Sequence, residues 1–422
     1  MNFTEIIHAW YKINHRSLPW RDTRDPYLIW LSEVILQQTR IDQGLAYYRR
    51  FSEAFPNVRQ LAEAEEDQVL KLWQGLGYYS RARNLRYAAR DVMARFGGTM
   101  PRSYQELRSL KGIGPYTAAA IASISYGEAR AVVDGNVDRV LSRVFGVHLP
   151  VNTTEGKREI QRLAEEMLDP ADPGTYNQAI MDFGALQCTP RKPDCSTCPL
   201  KQDCVAHRGR LTSLLPLKQS KKKARNRWLN FYIILRDGRV LIGKRAGKDI
   251  WEGLYQFPMT EGRLPVPEVY PAKPEKTRKA GLRETEGLSP LAKETAEGPD
   301  AAGAKAEEPG TEWKGPEDLS AKIGEAVTEL AGMDATGLAI RHISGEIRHE
   351  LSHQRLHLRF IHVEYPPQHP GRAGQETLQN EGHSAEQQAK DLPEGSRWIS
   401  PSELDDYPFP QAIKRYIEVA KF

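Results

Sequence analysis

The spacing of apolar and polar positions changes character once along this chain. From residue 1 to about 187 no stretch alternates at period two, and the pattern predicts one helix after another. Asp25-Pro26 predicts a helix start, with a carboxylate for the free amides and a ring that suits the first helical position. The run behind it, YLIWLSEVILQQTR, is apolar nearly all round, so its helix should be buried. Ser103-Tyr104-Gln105-Glu106 has capping-box spacing. The string TAAAIASI (117–124) suits a closely packed helix, and Asp134 and Thr154 stand ahead of two further helical runs. After Arg227 the texture changes. LNFYIILRD-GRVLIGKR predicts a hairpin turning on Asp237-Gly238. GEIRHELSHQRLHLRFIHVEY (345–365) alternates and is rich in β-formers, and QAIKRYIEVAKF (411–422) reads as a helix.

These patterns predict an all-α domain over 1–216, a basic linker at 217–227 and an α+β domain over 228–422. Residues 261–320 and 367–391 are polar and poor in aromatics, and are expected to be disordered insertions. A chain of 422 residues, 40% hydrophobic and 27% charged, is long enough for two or three domains. No apolar run approaches the roughly 20 residues of a membrane helix. The start, MNFTEIIHAWYKINHRS, lacks the pattern of a secretory signal, so a cytoplasmic protein is expected.

A net charge of +4 names no partner, but its distribution is uneven. Between Cys188 and Arg227 eleven Lys/Arg face two Asp/Glu. The KKKAR run (221–225) alone reads equally as a solvated linker or as a phosphate contact; beside a cysteine cluster, contact with phosphates is the better reading. All four cysteines fall in the same stretch, as C-x6-C-x2-C-x5-C: Cys188, Cys195, Cys198 and Cys204. A disulfide framework would spread its cysteines to close long loops, so the crowding points to a metal site. Four thiolates serve zinc or an iron–sulfur cluster equally well. Either would fold a short basic segment and display Lys192 and Lys201 to phosphates.

Two carboxylates and a glycine turn stand out. Lys111-Gly112-Ile113-Gly114-Pro115 joins two helices. Its glycines allow a tight turn and a close-lying partner, and the amides behind Pro115 suit a phosphate, although GIG alone is also an ordinary helix connection. Asp134 fits a helix N-cap. Glu33 lies inside the apolar helix, where it must be paired with Arg16, Arg21 or Arg40, or else keep its proton. A protonated Glu beside an ionised Asp is the pair expected for general-acid cleavage through a cationic transition state.

The strings LPWR (18–21), SEVILQQTR (32–40), WQGLGYYSRARNL (73–85), GIGPYTAAAI (112–121), VVDGNVDRV (132–140) and the cysteine loop together resemble the adenine DNA glycosylases of the helix-hairpin-helix superfamily. The resemblance is strong to about residue 215 and looser over 228–422, where IGKRAGKDIWEGLYQFP (242–258) and HELSHQRLHL (349–358) carry a likeness to their NUDIX-like domain. It implies a helix-hairpin-helix at 107–125, a 4Fe–4S loop at 188–204, and removal of adenine opposite 8-oxoguanine or guanine in double-stranded DNA by a monomer. It implies Glu33 as acid, Asp134 as stabiliser of the sugar cation, and Tyr116 and Asn136 as residues orienting Asp134. Arg16, Leu18, Trp20 and Arg21 would wall the adenine pocket, and Gln38, Thr39 and Tyr78 would lie near the lesion. Lys111, Gly112 and Gly114 would hold backbone phosphate. Relatives that also cut the strand carry Lys where Tyr116 stands. A phenol forms no Schiff base, so base removal without lyase activity is expected, against an endonuclease III-like glycosylase/lyase or a non-catalytic DNA-binding protein of the same fold. Ser352 and His353 would read the lesion, in a loop with Leu351 where the family has Phe. The carboxylates of a catalytic NUDIX box are not visible, since KAGLRETEGLSP (279–290) lacks the full set. No catalytic Mg²⁺ and no nucleotide cofactor are expected.

Overall fold

The computed structural model describes residues 2–220, 224–264, 316–365 and 392–420. Its backbone contacts form two units. One is Met1–Lys222 with Arg245–Leu254 and Asp405–Lys421; the other is built from Lys223–Lys244 and Tyr255–Leu404.

Up to residue 222 the first unit is helical: α1 (Phe3–Asn14), α2 (Pro26–Leu36), α3 (Ile41–Ala54), α4 (Val58–Glu63), α5 (Glu66–Trp73), α6 (Ser80–Phe96), α7 (Tyr104–Ser109), α8 (Pro115–Tyr126), α9 (Gly135–Phe145), α10 (Thr154–Glu166), α11 (Pro173–Asp182) and α12 (Val205–Arg208). The local signals act as their chemistry requires. Asp25 accepts the Tyr27 amide at 2.8 Å at the head of α2. Ser103 and Glu106 form the reciprocal box at the head of α7. For α10 the cap falls one residue before the expected Thr154, because the Thr153 hydroxyl accepts the Gly156 amide. Among the described residues no helix is long and apolar enough to cross a membrane.

Two hydrophobic cores fill this unit. The first gathers Trp30, Phe51, Trp73 and Leu85 from α2, α3, α5 and α6. The second gathers Ile7, Val140, Leu141, Tyr176 and Phe183 from α1, α9, α11 and the turn after it. Each such residue, wholly buried, contributes about 1.5–3 kcal/mol. Helix α8 belongs to both: Ala118, Ile121 and Ala122 face the first core, Ala119 and Ala120 the second. A helix packed on two sides must be thin, which accounts for its run of alanines.

The second unit is a mixed sheet of β1 (Arg225–Arg236), β2 (Arg239–Lys244), β3 (Tyr255–Gln256), β4 (Met259–Glu261), β5 (Ala339–Ile343), β6 (Ile347–Glu350), β7 (Gln354–Glu364) and β8 (Ser396–Ile399), with α13 (Pro316–Ala331) on one face. The order is β3-β2-β1-β7-β5, with β4 beside β1, β6 beside β7 and β8 beside β2. β1 and β7 run parallel, from Arg225↔Gln354 to Leu235↔Glu364. Asp237 (φ 48°) and Gly238 (φ 71°) form the two-residue turn between β1 and β2, both left-handed as that turn demands. Tyr232, Ile234, Ile361 and Val363 share one face and pack against Leu319, Ile323 and Val327 of α13. The chain's last helix is α14 (Gln411–Val419), which falls with the first unit.

Two expectations need correction at their edges. Glu261 pairs with Leu229 in β4, and residues 316–320 begin α13, whose Leu319 is buried. The segment 261–320 therefore starts in strand and ends in helix; 265–315, with the NUDIX-box lookalike at 279–290, and 367–391 lie outside the described residues. Lys221, Lys222 and Lys223 also lie outside them, and Arg225–Arg227 belong to β1, not to a linker.

Candidate active site

Glu33 sits on α2 between the buried Ser32 and Val34. Burial pushes its carboxyl up to about 7, and the nearby Asp134 charge adds to this. The Tyr116 hydroxyl and the Arg21 charge pull the other way. At neutral pH the group is thus close to half protonated. Arg16 and Arg21 do not pair with it; both turn to Asp182, while Arg40 lies exposed at the head of α3.

Asp134 is the N-cap of α9. Its Oδ1 accepts the Asn136 and Val137 amides at 2.8 Å each, and its Oδ2 accepts Asn136 Nδ2 at 2.7 Å. Asn136 Oδ1 in turn accepts Arg139 Nη2 at 2.8 Å, and Arg139 also donates to the Gly184 and Cys188 carbonyls at 2.7 Å each. Polar contacts thus run unbroken from the carboxylate to the first cysteine. They need Gly184, because a Cβ there would lie 2.6 Å from the Asn136 Cβ. Tyr116, in the first turn of α8, feels both Glu33 and Asp134. Burial first, then those two carboxyls, raise its pKa well above the usual phenol value, so it stays protonated.

Arg16, Leu18, Trp20 and Arg21 occupy the connection from α1 to α2, with a short 3-10 turn at Pro19–Arg21. Leu18 and Trp20 are buried, and Trp20 meets Tyr48 edge-on at 5.2 Å. Asp182, wholly buried, binds Arg16 Nε at 2.8 Å and Arg21 Nη2 at 2.7 Å.

At the C-terminal end of α2, Gln38 (φ 57°) and Tyr78 (φ 48°) both adopt the left-handed conformation that non-glycine residues avoid. Such strain persists where surrounding bonds impose it, and it clusters at functional sites. Here Arg81 imposes it: its guanidinium donates to the Val34, Ile35 and Gln37 carbonyls at 2.7–3.1 Å and lies over the Tyr78 ring. Tyr78 is 45% exposed, so ordinary core packing does not explain it. The Thr39 hydroxyl donates to the Gln37 carbonyl at 3.4 Å.

Gly112 (φ +84°) makes the turn between α7 and α8, and Gly114 opens α8 with free space about its Cα. The Lys111 ammonium rests on the Tyr87 ring at 4.2 Å. The four thiols border one cavity with Arg143, whose Nη1 lies 3.4 Å from Cys188 Sγ. Among the described residues no three of them are spaced to grip a single metal ion. Four thiols on one cavity are the donor set of an iron–sulfur cluster or of zinc. In the second unit, Ser352 and His353 are exposed in the three-residue connection from β6 to β7. The Leu351 amide donates to the Gln354 carbonyl at 2.8 Å and closes that loop.

The sequence reading missed Asp182, Arg139, Arg81 and Asp138. Asp138, within α9, is pushed up to about 6 by burial and by the Asp134 charge. For Arg139 the signal was available, three residues beyond Asn136 on the same helix face; for Asp182 and Arg81 no local pattern exists.

Residues 31–170 match the HhH-GPD superfamily of base excision DNA repair proteins, 188–204 the iron-sulfur binding domain of endonuclease III, and 302–419 the NUDIX domain. An adenine DNA glycosylase of Buchnera aphidicola (from Schizaphis graminum) is 36% identical over 263 residues, which cover 62% of this chain and 76% of that one. The Homo sapiens adenine DNA glycosylase is 44% identical over 213 residues, 48% of this chain and 39% of the human one. Among solved structures, a thermostable thymine-DNA glycosylase is 30% identical with a TM-score of 0.46, covering 49% of this chain and 95% of that one. With Glu33, Tyr116 and Asp134 placed on three helices, the family-model match over 31–170 and the likeness to the Buchnera enzyme, covered over three quarters of its length, show that the chain belongs to the adenine DNA glycosylase family of base excision repair enzymes.

Proposed function

We propose that this protein excises adenine mispaired with 8-oxoguanine, or with guanine, in double-stranded DNA, and leaves the strand uncut. The observation that carries the reading is a partly protonated Glu33 facing an Asp134 fixed by its own helix, with a phenol rather than an amine at position 116. A base inside a duplex cannot reach such a site, so the adenine nucleotide is flipped out of the stack. Leu18, Trp20, Arg16 and Arg21 receive the base. Glu33 delivers its proton to N7, which turns adenine into a better leaving group. The glycosidic bond breaks, and the Asp134 carboxylate, held by Asn136, stabilises the cation at C1′. Glu33, now ionised, takes a proton from the water that attacks there.

The other residues supply grip and selection. Gly112, Gly114 and Lys111 hold a backbone phosphate at the start of α8, while Gln38, Thr39 and Tyr78 lie against the mispair. Ser352 and His353, at the tip of the β6–β7 connection, read the 8-oxoguanine; their exposure supports this role. Residues 1–216 form the catalytic domain and 228–422 the lesion-reading domain of a monomer acting on the nucleoid in the cytoplasm. Cys188, Cys195, Cys198 and Cys204 hold one 4Fe–4S cluster, which fixes the fold of the basic loop. The reaction needs no Mg²⁺ and no nucleotide cofactor.

A strand-nicking assay on an 8-oxoguanine:adenine duplex tests target and chemistry together. The expected result is a break in the adenine strand only after alkali. Breaks without alkali would indicate a lyase, and breaks in the other strand a different target base.

A further inference from the structure

We propose that Asp182 is a positioning residue for base excision: it holds Arg21 away from Glu33 and so keeps the general acid from being ion-paired. This rests on the reading of Glu33 as that acid. Asp182 closes α11 and is wholly buried, a place where a carboxylate costs several kcal/mol unless it is paired. Two guanidiniums share it. Arg16 is fastened by three nitrogens: its amide at 3.1 Å to Oδ2, its Nε at 2.8 Å to Oδ1, and its Nη2. Arg21 touches Asp182 through Nη2 alone, at 2.7 Å; its Nη1 donates to the Tyr11 hydroxyl at 2.6 Å, which donates onward to Gln178 Oε1 at 3.0 Å. Two cations on one anion leave a positive excess, and Arg21 is the more loosely held.

Among the described residues, the groups whose charge or hydroxyl acts on Glu33 are Tyr116 from α8, Arg21 from the 3-10 turn and Asp134 at the head of α9. Arg21 is the cation of that set, and its charge already reaches both Glu33 and Tyr116. With Asp182 gone, the carboxyl that the Arg21 charge already reaches is the catalytic one. A cation within about 4–6 Å lowers a carboxyl pKa by roughly 1–3. Glu33 would then have lost its proton before the purine arrives.

The test is the pH dependence of single-turnover adenine release by the iron–sulfur-loaded protein on an 8-oxoguanine:adenine duplex. For the unaltered protein the rate is expected to fall above pH about 7, where Glu33 ionises. In Asp182→Asn that fall moves to a pH lower by about one, giving roughly a tenfold loss at pH 8 and little loss at pH 5.5. In Asp182→Asn/Arg21→Met the fall returns to the original pH or above it, and in Asp182→Glu it stays in place. Should the two guanidiniums left without their carboxylate stop Asp182→Asn from folding, Asp182→Asn/Arg16→Met restores the charge balance and must show the same downward move. A rate lowered equally at every pH, with the fall unmoved, would overturn the proposal and leave Glu33 as the acid. If the unaltered protein shows no fall near pH 7, the proposal and the Glu33 reading are overturned together.

Discussion

Because the Glu33 carboxyl rises from 4.5 to about 7 on folding, the folded chain binds a proton between those two values that the unfolded chain has released. The stability this proton contributes is fully present below pH 4.5 and is lost as pH rises through 7, at about 1.4 kcal/mol for each tenfold difference in acidity between the folded and unfolded carboxyl. Glu33→Gln cannot ionise. By urea midpoint it should match the unaltered protein near pH 4.5 and exceed it by about 2–3 kcal/mol at pH 8; equal midpoints at pH 8 would mean that the carboxyl is not raised. The same residue thus costs stability above pH 4.5 and, in the proposed reaction, holds the catalytic proton. Glu33 and Asp134 were legible because their signals are local: a charge inside an apolar helix, and a cap at fixed spacing. Asp182 was not, since its partner Arg16 lies 166 residues away along the chain. Arg81 reads as one arginine among many until α6 meets the end of α2.

Among elements, the α7–α8 connection separates two uses of glycine. At Gly112 φ is +84° and a Cβ would lie 2.7 Å from the Asn84 Cβ, whereas at Gly114 the backbone is ordinary and the space is open. Gly112→Ala should cost about 1–2 kcal/mol for the left-handed backbone, plus the clash. Gly114→Ala should cost almost no stability but weaken duplex binding several-fold, because its methyl would stand where the proposed backbone phosphate meets the amides of α8. Urea unfolding of both variants and duplex titration of the second separate these effects; loss of stability without loss of binding in Gly114→Ala would contradict a phosphate site there. The sequence made the thinness of α8 plain through its alanines. That the helix divides two cores was hidden, because each core gathers residues from distant segments: Ile7 joins Tyr176 in one, Trp30 joins Leu85 in the other.

For the whole molecule, the change from helical to alternating pattern near Arg227 matches where the sheet begins. What the pattern did not reveal is that Arg245–Leu254 and Asp405–Lys421 group with the helical unit, where Leu254 is wholly buried in the first core. Their composition resembles that of their neighbours in the sheet, so only tertiary packing distinguishes them. The function proposed at this scale is lesion choice. Replacing Ser352 and His353 together by Ala should lower the preference for 8-oxoguanine over guanine opposite adenine by about tenfold, the loss of one or two hydrogen bonds, while excision from the guanine mispair changes little. Unchanged preference would move the reader elsewhere. The most direct test of the central claim is Glu33→Gln on an 8-oxoguanine:adenine duplex, with adenine release and binding measured side by side. The account predicts release at least about a hundredfold slower with the duplex still bound; release at the original rate would show that the proton comes from another group.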